Sequence, residues 1–307
     1  IPMPGRAMFV LRLLFIGLLI ALSTVLHVLP LLLVAVAKAL LPSAALRRAA
    51  NPLLTGLAES WISGNGWMWD RFTDTRLQVD GLSTLQRDGH YLVLANHQSW
   101  VDILVLQKVF NRRIPLLRFF LKRQLVWVPL LGLAWWALDF PFMGRYTKQQ
   151  IARNPELAGR DIEATRRACA KFREIPVAIM NFVEGTRFTP AKHGRQQSPY
   201  RHLLKPKSGG VAFVLDAMAD GLHGILDVTI AYPAGRPSML DLIGNRIPEV
   251  RVQVRQRPIP AALIGGNYQD DRAFRARFQQ WMNGLWEEKD RDLDAMLAPA
   301  ASTVERA

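Results

Sequence analysis

The sequence contains a single cysteine, Cys169, among 307 residues. One cysteine excludes an intramolecular disulfide framework and any zinc site built from cysteine pairs, and it is the usage expected of a domain that faces a reducing compartment. Acidic residues are also scarce, since 25 Asp and Glu stand against 39 Lys and Arg and give a net charge of +14. Such a chain attracts nucleic acid, anionic lipid headgroups or phosphorylated small molecules.

Charge is absent altogether from residues 13–37, where Ser23, Thr24 and His27 are the only clearly polar side chains. About 20 apolar residues cross the hydrocarbon core of a bilayer, so this run is long enough for one tilted span. Alternatively, Pro30 divides the run into two shorter helices that form a hairpin or a re-entrant pair. Both arrangements predict a membrane segment.

A cleaved signal peptide is the competing interpretation, because Arg6 and Arg12 resemble a basic leader region. Signal peptides have an apolar core of roughly 7–15 residues and a small-residue cleavage site. The greater length of this run favours a retained anchor. Lys38, Arg47 and Arg48 follow the run and favour the cytoplasmic side for the rest of the chain.

Beyond residue 50 the sequence alternates between strand-like and helix-like segments with Gly and Pro between them. The predicted strands are His90–Ala95, Ile175–Val183 and Ile225–Tyr232, and the predicted helices include Leu157–Phe172 and Asp271–Trp286. This alternation is typical of an α/β fold in which helices flank a mixed sheet. We expect residues 1–50 to anchor the chain in the membrane. Residues 51–307 then form one catalytic domain with an amphipathic C-terminal helix.

A second apolar run, Leu125–Met143, does not fit a clean membrane span. It is interrupted by Pro129, Gly132, Asp139 and Pro141. Prolines and a charge inside the run are incompatible with a continuous apolar helix. We interpret the run as a hydrophobic groove or a partly membrane-buried helix.

The first chemical motif is Asn-His-Gln-Ser-Trp-Val-Asp at residues 96–102, directly after a predicted strand. Two helical residues five positions apart differ by about 140°, so His97 and Asp102 meet only if His97 precedes the helix. We expect a helix that begins near Ser99, with Asp102 in its first turns and accepting from one imidazole nitrogen. The other nitrogen is then free to deprotonate a bound hydroxyl. The alternative is a surface histidine beside an aspartate by chance.

The second motif, Glu184-Gly185-Thr186-Arg187, follows another predicted strand. A glycine lets backbone amides approach an anion, Thr186 adds a hydroxyl, and Arg187 matches a phosphate with two parallel donors. Glu184 is placed to orient Arg187 or to contact a substrate hydroxyl. The alternative is a tight turn closed by an ion pair. Both motifs follow strand ends, where open α/β sheets bind ligands, and this favours a binding site.

With these motifs the chain resembles the glycerolipid acyltransferases typified by 1-acylglycerol-3-phosphate acyltransferase, whose pattern is Asn-His-x-Ser-x-x-Asp followed by Glu-Gly-Thr-Arg. The similarity extends from Tyr91 to Pro233 and includes residues 122–125, 140–145, 207–210 and 227–233. Within this family the chain is most similar to the proteobacterial inner-membrane branch related to lysocardiolipin acyltransferases. Gln124 departs from the acidic residue often seen in the phosphatidate-making branch, which leaves the acceptor open.

The resemblance implies an O-acyltransferase at the bacterial inner (cytoplasmic) membrane, with its catalytic domain facing the cytosol. His97, oriented by Asp102, would deprotonate the free hydroxyl of a lysophospholipid, with 1-acylglycerol-3-phosphate as the first choice. That hydroxyl would attack the thioester of acyl-CoA or acyl carrier protein, which are co-substrates. No cofactor and no metal is implied. A hydrolase or thioesterase that uses the same His-Asp pair, and a non-catalytic basic membrane-binding module, are the alternatives.

The resemblance also implies the substrate contacts. The acceptor phosphate would be held by residues of the second motif and two further cations: Glu184, Gly185, Thr186, Arg187, Arg145 and Lys207. The acyl chain would lie in a groove formed by Leu125, Trp127, Leu130, Leu131 and Trp135. Basic clusters such as Arg112/Arg113/Arg118 and Lys122/Arg123 are not accompanied by a nucleic-acid recognition motif. We therefore expect anionic membrane lipids, and no nucleic acid, as partners.

Overall fold

The structure is a computed structural model that describes residues 5–40, 43–144, 153, 154, 156, 163, 169, 170, 172 and 175–298. Arg145 and most of the predicted helix Leu157–Phe172 lie outside the described residues. The helices are α1 (Arg6–Leu40), α2 (Ala44–Phe72), α3 (Val101–Phe110), α4 (Leu131–Ala137), α5 (Pro190–Gln196), α6 (Gly209–Met218), α7 (Met239–Ile243) and α8 (Arg272–Leu297). The strands are β1 (Arg76–Asp80), β2 (His90–Ala95), β3 (Leu117–Phe119), β4 (Leu121–Lys122), β5 (Phe142–Met143), β6 (Val177–Phe182), β7 (Gly224–Ala231) and β8 (Glu249–Arg257).

The main sheet has six strands in the order β1-β8-β7-β2-β6-β3, and β4 and β5 form a separate two-stranded pair. Within the main sheet β7 and β8 are antiparallel, while the other neighbouring strands are parallel. The predicted mixed sheet and the α/β class are therefore confirmed. The three central strands β7, β2 and β6 are parallel, so their carboxyl ends lie at one edge of the sheet.

The sheet is covered on both faces, and β2 illustrates how its sequence achieves this. Side chains alternate across a strand, so Tyr91 and Val93 join the hydrophobic cluster on one face, while Leu92 and Leu94 join the cluster on the other. All four are at most 1% exposed. Residues from α1, α2 and α3 complete the first cluster, and residues from α6 and α8 complete the second. Burial on both faces explains why β2 is a continuous apolar run.

The N-terminal apolar run is a single helix that continues through Pro30, so the proline does not divide it. The polar side chains of the run face α2 instead of lipid or water. His27 Nε2 lies 3.2 Å from Ser60 Oγ, and the indole of Trp61 donates to Thr24 Oγ1 at 3.2 Å. The helical hairpin in this structure is therefore α1 with α2. The boundary that we expect near residue 50 falls within α2.

The face of α1 that points away from α2 is exposed and apolar. Leu11, Leu18, Leu22 and Leu33 are 57–73% exposed and recur at helical spacing along this face. The segment Ala7–Leu40 is long and apolar enough to cross a membrane, and it is the one such helix among the described residues. An apolar stripe of this length on a protein surface marks a surface that is covered by another apolar phase.

The C-terminal helix α8 begins where the sequence predicts and extends further than predicted, to Leu297. Asp271 caps it by accepting from the backbone N–H groups of Ala273 and Phe274. Its apolar face packs on the sheet, and Lys289, which is fully buried, reaches the strand β7. There its ammonium group donates to Val228 O at 2.7 Å and lies 2.5 Å from Asp227 Oδ1.

Candidate active site

Three polar segments meet at the carboxyl ends of β2, β6 and β7. Residues 96–102 follow β2, residues 184–187 follow β6, and Tyr232 follows β7. Because these strands are adjacent and parallel, the segments lie side by side. The sequence places each segment after a strand, and the sheet order brings all three together.

His97 and Asp102 are in direct contact, as their spacing predicts. The imidazole Nδ1 of His97 donates to Asp102 Oδ2 at 2.9 Å. The ring of His97 stacks on Phe182 with centroids 3.8 Å apart and planes 12° from parallel. No described residue hydrogen-bonds to Nε2, and the His97 side chain is 11% exposed. The ring is thus held at Nδ1 and by stacking, and Nε2 has no partner among the described residues.

Asp102 lies in the first turn of α3 and binds the backbone before that helix as well as orienting His97. Its Oδ2 also accepts from the backbone N–H groups of Gln98 at 2.6 Å and Ser99 at 2.8 Å. The helix α3 begins at Val101, close to Ser99 as expected, with Trp100 in the position before it. The Ser99 hydroxyl accepts from Val101 N–H, as a capping serine does, and donates to Pro237 O. Ser99 therefore joins two loops.

Tyr232 is a site residue that the sequence analysis did not assign. Its hydroxyl donates to the second oxygen of Asp102, Oδ1, at 2.6 Å. Burial raises the pKa of Tyr232 well above its ordinary value, and the negative charge of Asp102 raises it further. The hydroxyl therefore stays protonated. Both oxygens of the buried carboxylate therefore accept hydrogen bonds. The position of Tyr232, at the end of a predicted strand, was the available signal.

Asn96 connects the ends of two strands. Its side-chain amide donates to Ile230 O at 2.9 Å, and its Oδ1 accepts from Ile230 N–H at 2.9 Å. These are the two hydrogen bonds that a backbone unit would make in a strand pair. Asn96 thus fixes the start of the loop that carries His97 against β7.

Glu184 points into the protein, whereas the sequence predicts it beside Arg187 or a substrate hydroxyl. It is fully buried, and its two oxygens accept from the backbone N–H groups of His97 at 2.8 Å and Leu204 at 2.9 Å. Burial raises the pKa of Glu184 to about 8, and the two backbone hydrogen bonds oppose this shift. Both oxygens of this buried carboxyl group face backbone N–H groups, and no hydrogen bond or ion pair joins it to Arg187 among the described residues. Its role is to hold the His97 loop.

The other residues of the second motif remain at the surface beside His97. Gly185 has a positive φ of 69°, and a Cβ there would lie 3.2 Å from the Lys207 side chain, so Lys207 packs directly over this glycine. The guanidinium of Arg187 stacks over Trp100 at 4.6 Å. The structure therefore brings the predicted Gly185, Arg187 and Lys207 to one side of the site.

Thr186 accepts from a cation that the sequence analysis did not single out. Lys192 donates to Thr186 Oγ1 at 2.8 Å and to Arg187 O at 2.9 Å. The Thr186 hydroxyl retains its own proton to donate to an anion. Lys192 was not predicted because it is one of many basic residues in the segment after the motif.

The predicted acyl groove is not a single enclosed surface. Leu130 and Trp135 pack against the core, whereas Trp127 is 84% exposed. Leu125 and Leu131 are half-buried, in a 3₁₀ turn and at the start of α4. None of these five residues is among the described residues that line a cavity of about 1170 Å³ beside α2 and β3. The run is divided at Pro129, which lies between the 3₁₀ turn and α4.

One residue of the predicted basic clusters points inward. Arg118 is 4% exposed, and its Nε donates to Leu138 O at 3.0 Å. Burial lowers the pKa of Arg118 to about 10. Arg118 therefore supports the fold and is not part of a surface that attracts anions. Within the described part of the chain, no group of three or more His, Cys, Asp or Glu side chains is arranged to hold a metal ion.

The chain is similar to a family model and to curated proteins of known family. A family model described as Acyltransferase matches residues 76–233, which is about half of the chain. The 1-acyl-sn-glycerol-3-phosphate acyltransferase gamma of Mus musculus is 27% identical over 235 residues, covering 72% of this chain and 57% of that protein. Lysocardiolipin acyltransferase 1 of Mus musculus is 26% identical over 251 residues, covering 77% of this chain and 62% of that protein. The chain thus spans little more than half the length of these curated relatives.

The fold has a counterpart among solved structures. The crystal structure of the 1-acyl-sn-glycerophosphate (LPA) acyltransferase PlsC from Thermotoga maritima matches with a TM-score of 0.56 at 15% identity. The match covers 95% of this chain and 99% of that one. This similarity concerns the fold, whereas the family model covers the strands and both motifs of the site. The chain belongs to the acyltransferase family.

Proposed function

We propose that the chain is an O-acyltransferase that moves a fatty acyl group from an acyl thioester to the free hydroxyl of a lysophospholipid. The preferred acceptor is 1-acylglycerol-3-phosphate, which gives phosphatidate. The observation that carries the proposal is the imidazole of His97, whose Nδ1 is bound by Asp102 while Nε2 has no hydrogen-bond partner among the described residues. Family membership and the names of the relatives support the same chemistry.

The reaction needs one base and no nucleophilic side chain. His97 Nε2 removes the proton from the acceptor hydroxyl as its oxygen attacks the thioester carbonyl. The tetrahedral intermediate collapses with cleavage of the C–S bond, and the thiolate takes the proton back from the imidazolium. Asp102 stabilises that imidazolium through its 2.9 Å contact with Nδ1. The donor thiol belongs to coenzyme A or to acyl carrier protein.

Arg187 of the second motif and the further cation Lys207, both exposed, would hold the acceptor phosphate beside His97. Arg187 is held by stacking on Trp100, and Lys207 lies over Gly185. A guanidinium offers two parallel donors to a phosphate, and the hydroxyl of Thr186 adds a third. Arg187→Ala is expected to raise KM for a phosphorylated acceptor by roughly tenfold or more, because a charged hydrogen bond is lost. An unchanged KM would remove this role from Arg187.

We propose further that α1 binds the membrane through its exposed apolar face, and that the membrane is the bacterial inner membrane with the catalytic domain in the cytosol. The residues that support the first part are the leucines along α1, which no described residue covers. Co-sedimentation with vesicles that contain anionic lipid tests it. Replacement of Leu18 and Leu22 by Ser is expected to reduce vesicle binding, since each buried leucine contributes about 1.5–3 kcal/mol.

The deciding experiment is acyl transfer from radiolabelled acyl-CoA to a panel of lysophospholipids in detergent, with free fatty acid counted in each reaction. We expect transfer by the native chain and none by His97→Ala. His223→Ala is the matched control, because His223 precedes β7 at the opposite edge of the sheet and is exposed. Retained transfer in His97→Ala would refute the mechanism, and release of fatty acid alone would indicate a hydrolase.

A further inference from the structure

The loop that follows β7 is fastened to the loop that carries His97. Tyr232 donates to Asp102, the hydroxyl of Ser99 donates to Pro237 O at 2.5 Å, and Arg236 Nε donates to Gln98 Oε1 at 2.6 Å. These contacts join residues that are 130–138 positions apart in sequence. The position of Arg236 is therefore fixed relative to the His-Asp pair, although nothing in the two motifs points to it.

Two contacts hold the guanidinium of Arg236, one to its face and one to Nε, and leave its two terminal nitrogens open. It stacks over the ring of Phe188 at 3.8 Å, and Phe188 itself is tied to the site because its N–H donates to His97 O at 2.8 Å. Nε is used by Gln98. Within the part of the chain that the structure describes, neither terminal nitrogen of Arg236 has a hydrogen-bond partner, and no carboxylate forms an ion pair with it. Arg236 is exposed.

Other arginines that the structure describes show what a structural role looks like. Arg251, Arg255 and Arg257 each form an ion pair with a carboxylate. Arg236 and Arg187 differ from these three arginines. Each is stacked on an aromatic ring, Phe188 for Arg236 and Trp100 for Arg187, and neither has a carboxylate partner among the described residues. Two such guanidinium groups flank the segment that carries the base.

We propose that Arg236 binds a phosphate group of a substrate, as a second guanidinium beside Arg187. The ligand is a phosphate ester, either that of the lysophospholipid acceptor or one of the phosphates of a nucleotide-bearing acyl donor. The two terminal N–H groups of Arg236 match two oxygens of one phosphate, and fixation by Gln98 and Phe188 reduces the entropy lost on binding. This inference rests on the proposed function for the identity of the substrates, and the geometry of Arg236 is independent of it.

Steady-state kinetics tests the inference with Arg236→Gln, which retains a side-chain donor for Gln98 but loses the charge and the fork. Arg277→Gln is the matched control, because Arg277 also lies over an aromatic ring, Phe274, at 5.6 Å but is on the outer face of α8. KM is measured for lysophosphatidate at saturating acyl-CoA and for acyl-CoA at saturating lysophosphatidate. We expect Arg236→Gln to raise one of the two KM values by about tenfold or more.

The substrate whose KM rises identifies the source of the phosphate. We expect kcat and the melting temperature of Arg236→Gln to stay within about twofold and about 3 °C of those of Arg277→Gln. A lower kcat with both KM values unchanged would show that Arg236 only positions the loop, and it would overturn the inference. Unchanged kinetics would overturn it as well.

Binding without turnover separates this inference from the proposed function. In the His97→Ala chain, quenching of tryptophan fluorescence is titrated with short-chain lysophosphatidate and, separately, with coenzyme A. We expect one of these probes to bind, and we expect addition of Arg236→Gln to weaken its binding about tenfold. If the native chain transfers no acyl group but this difference persists, the proposed function fails and the phosphate site stands. If neither probe binds the His97→Ala chain, the phosphate site is refuted.

Discussion

Tyr232→Phe removes one hydroxyl group from the site and leaves the shape of the side chain unchanged. In the native chain that hydroxyl donates to Asp102 Oδ1 at 2.6 Å inside the protein, where Tyr232 is 4% exposed and Asp102 is fully buried. The other carboxylate oxygen keeps its three N–H donors, from His97, Gln98 and Ser99. The variant therefore leaves Oδ1 buried without a partner, while Oδ2 is still held.

The magnitude follows from these contacts. A hydrogen bond to a charged group contributes about 1.5–3 kcal/mol. Because three donors still position Asp102, we expect the lower end of this range to be lost from the transition state, where the carboxylate must face the imidazolium of His97. A loss of about 1.4 kcal/mol lowers kcat roughly tenfold. The unpaired oxygen is also expected to lower the free energy of unfolding by about 1–3 kcal/mol.

The assay is acyl transfer with KM and kcat determined separately, together with chemical denaturation. KM for the acceptor should not change, since Tyr232 is buried and does not contact the surface cations. Tyr200→Phe is the control, because the Tyr200 hydroxyl makes only a 3.5 Å contact, to Asn283 O, at the other face of the sheet. If Tyr232→Phe matches the native chain in both kcat and stability, the hydrogen bond does not hold Asp102 and the reasoning is refuted.

Two further predictions concern buried charges. Lys289→Met removes the cation 2.5 Å from Asp227 and leaves Arg257 as its remaining partner, so the free energy of unfolding should fall by about 3 kcal/mol in chemical denaturation; an unchanged midpoint would contradict this. Folding raises the pKa of Glu184 from 4.5 to about 8, so between these two pH values the folded chain keeps a proton that the unfolded chain has released. This carboxyl therefore makes stability fall as pH rises through that window. Melting temperatures from pH 5 to 9 should fall less steeply for Glu184→Gln than for the native chain, and equal slopes would refute the assignment.

The sequence by itself determined the local elements of the fold and the central pair of the site. A continuous apolar run predicts the buried strand β2, and the alternation of strands and helices predicts the α/β layers. The angular arithmetic of the helix requires His97 to precede α3 if it is to meet Asp102. These predictions succeeded because each depends on periodicity or spacing within about ten residues, which the sequence records directly.

Only the tertiary structure decided which groups complete the site. Tyr232 is 130 positions from Asp102 and meets it because β7 lies beside β2 in the sheet. Glu184 turns inward because two backbone N–H groups, from His97 and Leu204, converge on its carboxylate. Ser23, Thr24 and His27 interrupt an apolar run, and the structure gives Thr24 and His27 partners on α2. Local periodicity states which face of a segment is apolar, but the order in which segments pack decides which polar atoms meet.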